Sequence, residues 1–202
     1  TYNIPIEKIT LIYNGLEDKA IFLTKAEKKQ KKQSLLFDKE DKIILFVGRL
    51  DEIKGLDVLI KAFREVLHKE PKARLLIVGD GNFKTYMEEA TDLAGRITYT
   101  GKVNKEQLYE YYQIATVGVM PSFHEQCSYV GIEMMMHGIP LIGTDSTGLS
   151  EMVEEECRLH IDENNKSLIV LEELSGLLST ILSNSPNNDL RTKYRKRYEN
   201  NY

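Results

Sequence analysis

The chain has 202 residues, 42% of them hydrophobic, which is enough for one sizeable core and fits one domain better than two. A net charge of −4 gives no global attraction to nucleic acid or to an anionic membrane surface, so any anion site has to be local. Two cysteines, Cys127 and Cys157, with no C-x-x-C pair, argue against a disulfide framework or a structural zinc site and suit a reducing, cytoplasmic compartment.

No apolar run approaches a membrane span, and no basic-then-apolar leader is present. A chain that starts at Thr1 and stops at Tyr202 reads as a piece of a longer polypeptide. Its first part, residues 1–41, is expected to be the trailing edge of a preceding domain plus a linker. A short strand is expected at Thr10–Tyr13, a turn at Asn14-Gly15, and a solvated linker helix over Glu27–Gln33 (EKKQKKQ).

From residue 42 to 185, β-rich apolar runs alternate with stretches of helical period, the pattern of an α/β, Rossmann-like parallel sheet with helices on both faces. The strands are expected at Ile43–Val47, Leu75–Val78, Ile97–Thr100, Val117–Met120 and Pro140–Ile142. Leu56, Leu59, Ile60, Phe63, Val66 and Leu67 share one face of a helix that ends before Pro71. A second helix should run from Phe83 to Ala94, and a third from an Asn104 cap, with Gln107 three residues on, through Ala115. Val130–His137 forms a short helix stopped by Gly138 and Pro140, and Ser167–Ser183 the last helix of this unit. After Pro186 the tail, 186–202, carries Arg191, Lys193, Arg195, Lys196 and Arg197. It is read as a solvated helix face docking on something outside this chain rather than as a nucleic-acid arm.

In an open parallel sheet, ligands sit beyond the carboxyl ends of the strands, where loops and helix N-termini converge. After the first strand, GRLDEIKG (Gly48–Gly55) is not a nucleotide-triphosphate loop, because Lys54 precedes Gly55 and Leu56 stands where a magnesium-binding hydroxyl would be. The fork of Arg49 and the point charge of Lys54 can clamp a diphosphate, with Gly48 and Gly55 letting the backbone bend close; two surface cations are the plainer alternative. Gly79-Asp80-Gly81 lacks the third glycine of a dinucleotide fingerprint, since Lys84 stands there, and is read as a strand-to-helix turn near the ligand.

PSFHEQCSYVGIEMMMHGIP carries two carboxylates, Glu125 and Glu133, eight positions apart. Either is able to accept hydrogen bonds from sugar hydroxyls, and the backbone N–H groups of Ser128, Tyr129, Val130 and Gly131 at a helix N-terminus favour phosphate. A glycosidase pair of acids fits less well, since the chain has no tryptophan platform and the cations would have no task on a neutral glycan. His124 beside Cys127 does not make a metal site and is expected to be a partly buried loop histidine, Met134-Met135-Met136 is core packing, and Thr144, Asp145, Thr147 and Gly148 form a polar loop facing the same cleft.

These segments, ILFVGRLDEIKGLDVLIKAF, LLIVGDGN, ITYTGKV and VMPSFHEQCSYVGIEMMMHGIPLIGTDSTGLSEMV, together resemble the donor-binding C-terminal half of retaining GT-B glycosyltransferases of family 4. LIYNGLED is similar to the segment that leaves that family's N-terminal domain, and RTKYRKRYENNY to its C-terminal helix. The resemblance implies transfer of a hexose-type sugar from a nucleotide diphosphate to an acceptor held by an N-terminal domain outside this chain. It implies that Arg49 and Lys54 clamp the diphosphate, that Glu125 contacts the transferred sugar and that Glu133 holds the ribose, the two glutamates of an E-x7-E motif. It also implies that no metal or cofactor is needed; with the charge balance it leaves nucleic acid out as a partner, and peripheral membrane contact is expected to be possible only through the absent domain.

Cys127-Ser128 stand where the family has Phe-Gly, and Thr147-Gly148 where it has Gly-Gly. The first departure keeps open a non-catalytic sugar-nucleotide module or a degenerate transferase; an epimerase or phosphorylase is a third reading. By itself, the 202-residue chain is expected to bind nucleotide weakly and to transfer nothing.

Overall fold

The structure, a computed structural model, describes residues 5–10, 12–146, 148–161, 166–185 and 187–202. Six strands among them, β1 (Lys42–Val47), β2 (Ala73–Val78), β3 (Ile97–Tyr99), β4 (Val117–Met120), β5 (Leu141–Thr144) and β6 (Arg158–Leu159), form one parallel sheet in the order β3-β2-β1-β4-β5-β6. Ile43, Ile44, Leu45, Leu75, Leu76, Val117 and Val119 are fully buried, as both faces of these strands are covered by helices. The sheet reverses its order between β1 and β4, and the crevice outside the carboxyl ends of that pair is where such folds bind ligands.

The helices are α1 (Lys25–Ser34), α2 (Leu56–Lys69), α3 (Phe83–Glu89), α4 (Lys105–Ile114), α5 (Tyr129–Met136), α6 (Lys166–Ser183) and α7 (Asn188–Asn201). The apolar stripe of α2 is buried as its spacing demands, and α4 opens on Asn104, whose side chain accepts from Gln107 N at 2.8 Å. The helix expected over Phe83–Ala94 stops at Glu89 and resumes as a 3-10 turn at Thr91–Leu93. Of the strand expected at Thr10–Tyr13, Leu11 lies outside the described residues; Thr10, Ile12 and Tyr13 are in no strand, and Ile12 is 83% exposed. Thr147 and Pro186 also lie outside the described residues.

Two segments expected to be solvated pack on the body instead. In α1, Lys32 is buried and donates to Asp41 O, Lys28 donates to Ala115 O at 2.8 Å, and Lys31 pairs with Glu110 of α4 at 2.7 Å. The tail helix α7 lies against α5: Leu190, Tyr194 and Tyr198 are buried, and the Tyr194 hydroxyl donates to Leu141 O at 2.7 Å. Arg195 pairs with Asp18 and donates to Met136 O at 2.6 Å, while Tyr198 donates to Leu16 O at 2.7 Å. Amphipathic lysines, arginines and tyrosines cover apolar surface with their stems and rings while their polar ends find partners.

Burial, with the charges of Arg191 and Lys32 behind it, pushes the Lys28 ammonium down to about 7. Its folded-state pKa therefore lies below the unfolded value, so the unfolded chain binds the extra proton between those two values and stability rises with pH across that window. Thermal unfolding of Lys28→Met should lose that rise between pH 7 and 9; an unchanged pH slope would show that Lys28 is not the source.

Candidate functional site

The loop after β1 is built to lie against its neighbours. Leu50 N donates to Asp80 O at 2.9 Å, and Leu50 and Gly81 form a bridge, so the backbones after β1 and β2 touch. That contact explains Gly79 and Gly81, both at positive φ: a Cβ at Gly79 would lie 1.8 Å from Gly48 O, and one at Gly81 2.6 Å from Leu50 O. These glycines serve backbone packing. Asp51 then caps a 3-10 turn, Glu52–Lys54, by accepting from Lys54 N at 3.1 Å, and Gly55 closes it in the left-handed conformation at φ 66°. Gly55 backs onto the loop after β4, where a Cβ would meet Pro121 O at 2.2 Å, and Phe123 N donates to Ile53 O at 2.9 Å.

The loop after β4 is fixed from the other side by the loop after β5. Thr144, fully buried, donates its hydroxyl to Ser122 O; Gly148 N donates to Glu125 O at 2.8 Å, and a Cβ at Gly148 would lie 1.8 Å from Gln126 O. The two clamped loops face each other across the crevice, and Lys54 Nζ reaches Glu125 Oε2 at 2.5 Å, with side chains 21% and 15% exposed. Ser128 caps α5 by accepting from Gly131 N at 3.2 Å, which places the helix N-terminus on the same crevice. A cavity of about 210 Å³ results, lined among others by Gly48, Lys54, Glu125, Ser128, Tyr129 and Val130.

Three residues nominated from sequence stand apart from that lining. Arg49 projects into solvent, 74% exposed, and pairs with Asp51 at 3.1 Å. Gly131 lies inside, where a Cβ would come within 2.7 Å of Met152 Cε. Glu133 is on the buried side of α5, its carboxylate held by Lys105 and by the Tyr112 hydroxyl at 2.9 Å. Its hydrogen bond raises the Lys105 ammonium, while burial and the carboxylate drive the Tyr112 phenol well above its ordinary value. Sequence reasoning did not single out Lys105 or Tyr112, which lie 28 and 21 residues from Glu133; Lys105, directly after the Asn104 cap, was the sole local hint. His124 is exposed, contrary to the expected partly buried histidine, and Cys127, also exposed, accepts from Asn14 Nδ2 at 3.1 Å.

Sulfur backs this wall. Met134, Met135 and Met136 are fully buried, as packing residues should be, and Met120 and Met152 join them at 6% and 2% exposure. Among the described residues no three His, Cys, Asp or Glu side chains gather as a metal site, and no helix is long and apolar enough to cross a membrane.

Comparison with known proteins bears on this arrangement. The chain is 34% identical over 160 residues to an uncharacterized glycosyltransferase of Methanocaldococcus jannaschii, covering 77% of this chain and 41% of that one. It is 32% identical over 123 residues to D-inositol 3-phosphate glycosyltransferase of Nocardia farcinica, covering 56% and 27%. The chain thus spans less than half the length of these curated relatives. Sucrose-phosphate synthase of Thermosynechococcus elongatus superposes with a TM-score of 0.76 at 26% identity, over 96% of this chain and 48% of that one. Anabaena HepE in complex with UDP superposes at 0.80 with 18% identity, over 98% and 54%, a likeness of fold. The model of the family described as glycosyl transferases group 1 matches residues 27–201, and a match over so much of the chain means that the protein belongs to that family.

Proposed function

We propose that the chain is the nucleotide-sugar donor-binding part of a retaining GT-B glycosyltransferase of family 4, with residues 42–185 as the donor-binding unit and the acceptor held by a domain outside it. The observation that carries this reading is the Lys54–Glu125 pair, set at the switch point of the sheet beside the N-terminus of α5. It joins a cation suited to a leaving diphosphate and a carboxylate suited to sugar hydroxyls in one cavity. The UDP complex of HepE supports the same choice of ligand class.

On this reading the bond that breaks joins the sugar's anomeric carbon to the β-phosphate oxygen, and an acceptor hydroxyl oxygen bonds to that carbon in its place. Negative charge gathers on the departing diphosphate, which takes the electron pair of the broken bond and the acceptor's proton. Lys54 and the positive end of α5 stabilise that charge, and Glu125 orients the sugar. Arg49, exposed outside the cavity lining and paired with Asp51, is assigned as the second arm of the clamp by the resemblance of the loop. Glu133, held by Lys105 and Tyr112 outside the cavity lining, is assigned to the ribose by the resemblance of the E-x7-E spacing alone. Retention, the hexose-type sugar and the inactivity of the chain without its acceptor domain belong to the same proposal, as does a cytoplasmic site of action.

Calorimetric titration with UDP, GDP and ADP tests it. Saturable binding of one of them is expected, weakened more than roughly tenfold in Lys54→Ala, the loss of one charge-assisted contact. Absence of binding at millimolar nucleotide, in this chain and in the full-length protein alike, would overturn the assignment.

A further inference from the structure

At the opposite end of the sheet from Lys54 and Glu125, a larger cavity of about 580 Å³ lies between α1, α7 and the amino ends of β1, β4 and β5. Seven of its lining side chains are lysine or arginine and two are acidic, in a chain whose net charge is −4. The charges are unevenly compensated. Lys29 and Lys42 have carboxylate partners, Glu40 at 2.5 Å and Glu70 at 2.7 Å. Lys28, Lys32 and Arg191 donate instead to backbone oxygens, of Ala115 at 2.8 Å, of Asp41, and of His137 at 3.4 Å. A carbonyl dipole satisfies a donor without cancelling its charge, so Lys28 and Arg191 are left without a carboxylate partner among the described residues, while Asp41, Glu40 and Asp38 offset part of the charge of Lys32.

The strain shows in their acidities. Burial lowers the pKa values of Lys28, Lys32 and Arg191, and the charges of Arg191 and Lys32 add to the effect on Lys28. His137 lines the same cavity, 3% exposed, with Nδ1 2.9 Å from Glu133 O. Nδ1 therefore carries the proton of the neutral ring, and Nε2 is left as an acceptor, buried without a partner. Cations thus line a cavity that His137 also lines, and its Nε2 is an acceptor with no partner among the described residues.

We propose that this cavity binds a phosphorylated polyol, whose phosphoryl oxygens take Lys28, Lys32 and Arg191 and one of whose hydroxyls is placed against His137. A polyol phosphate supplies both the charge and a hydroxyl donor; sulfate supplies only the charge. Lys25 and Lys39, both exposed at the rim, add to the field that draws it in. The site lies at the other end of the sheet from the donor crevice and does not depend on the transferase reading.

Glycerol 3-phosphate titrated into the full-length protein, with sulfate as the hydroxyl-free control, tests the proposal, beside flotation with phosphatidylglycerol vesicles. Saturable binding of glycerol 3-phosphate, tighter than that of sulfate, is expected. It should weaken roughly tenfold or more in Lys28→Met with Arg191→Met and measurably in the rim variant Lys39→Glu, which leaves the interior packing alone, while Lys54→Ala leaves it unchanged. Binding to vesicles alone, lost in the same variants, would assign the phosphorylated polyol to a lipid headgroup. No binding of either form, or binding insensitive to Lys39→Glu and to the double variant, would overturn the site.

Discussion

In the full-length protein, Glu125→Gln is expected to slow sugar transfer roughly 10²–10³-fold, the range for removing one preorganised group that acts on the reacting centre, and to leave nucleoside diphosphate affinity equal or higher. The opposite signs follow from the 2.5 Å contact with Lys54. As a carboxylate, Glu125 competes with a diphosphate for the Lys54 ammonium; as an amide of the same shape it competes less. The sugar, however, loses a charged acceptor for its hydroxyls. Initial rates at saturating donor, measured beside calorimetric affinities for the free nucleotide, separate the two effects. A parallel fall in both would place Glu125 on the nucleotide rather than on the sugar. A rate unchanged from wild type would remove Glu125 from the catalytic machinery, whereas no transfer by the wild-type protein itself would favour the non-catalytic binding module that Cys127-Ser128 keeps open.

The second large effect is on stability. Gly79→Ala should cost about 2–4 kcal/mol, as overpacking against rigid backbone and a forbidden dihedral act together. Gly79 sits at φ 144°, and its added Cβ would stand 1.8 Å from Gly48 O and 2.9 Å from Gly48 C. Neither is a flexible side chain that can move aside. For a domain of this size the melting temperature should fall by roughly 5–15 °C. Gly176→Ala provides a comparison of opposite sign: it lies exposed within α6, nothing stands within 4 Å of its Cβ position, and about 0.5–1 kcal/mol of stabilisation is expected. Equal melting temperatures for the two variants would contradict the close approach of the loops after β1 and β2.

Much of the sheet was legible because most of its strands are short, mainly apolar runs in a parallel setting: all five expected strands exist, displaced by at most two residues at an end. The sixth, Arg158–Leu159, is two residues long and pairs only at the sheet edge, so it leaves no run to read. The break in the second helix was hidden for a related reason, since Leu93 keeps its apolar position in the 3-10 turn and the periodicity shows no gap. In α7 the abundant cations masked Leu190, Tyr194 and Tyr198, which fall at i, i+4 and i+8 and form the buried stripe. In the crevice, residue types and strand ends sufficed to nominate Lys54 and Glu125. That they touch, although 71 residues apart, depends on Gly55 and Gly148 letting three loops stack, which only the folded backbone reveals. The burial of Glu133 against Lys105 and Tyr112 has the same long-range origin.

Met120 and Met152, packed with Met134, Met135 and Met136 of α5, set a chemical limit on the crevice. Met120 both belongs to that sulfur layer and lines the cavity, and its Sδ lies 4.0 Å from the Ser128 hydroxyl that caps the helix. A peroxide small enough to enter the crevice would meet this thioether first, ahead of the fully enclosed Met134, Met135 and Met136. Sulfoxidation there would set a polar, bulkier group against the first turn of α5 and draw Ser128 away from Gly131 N, so that the fold persists while its crevice-facing helix end comes undone.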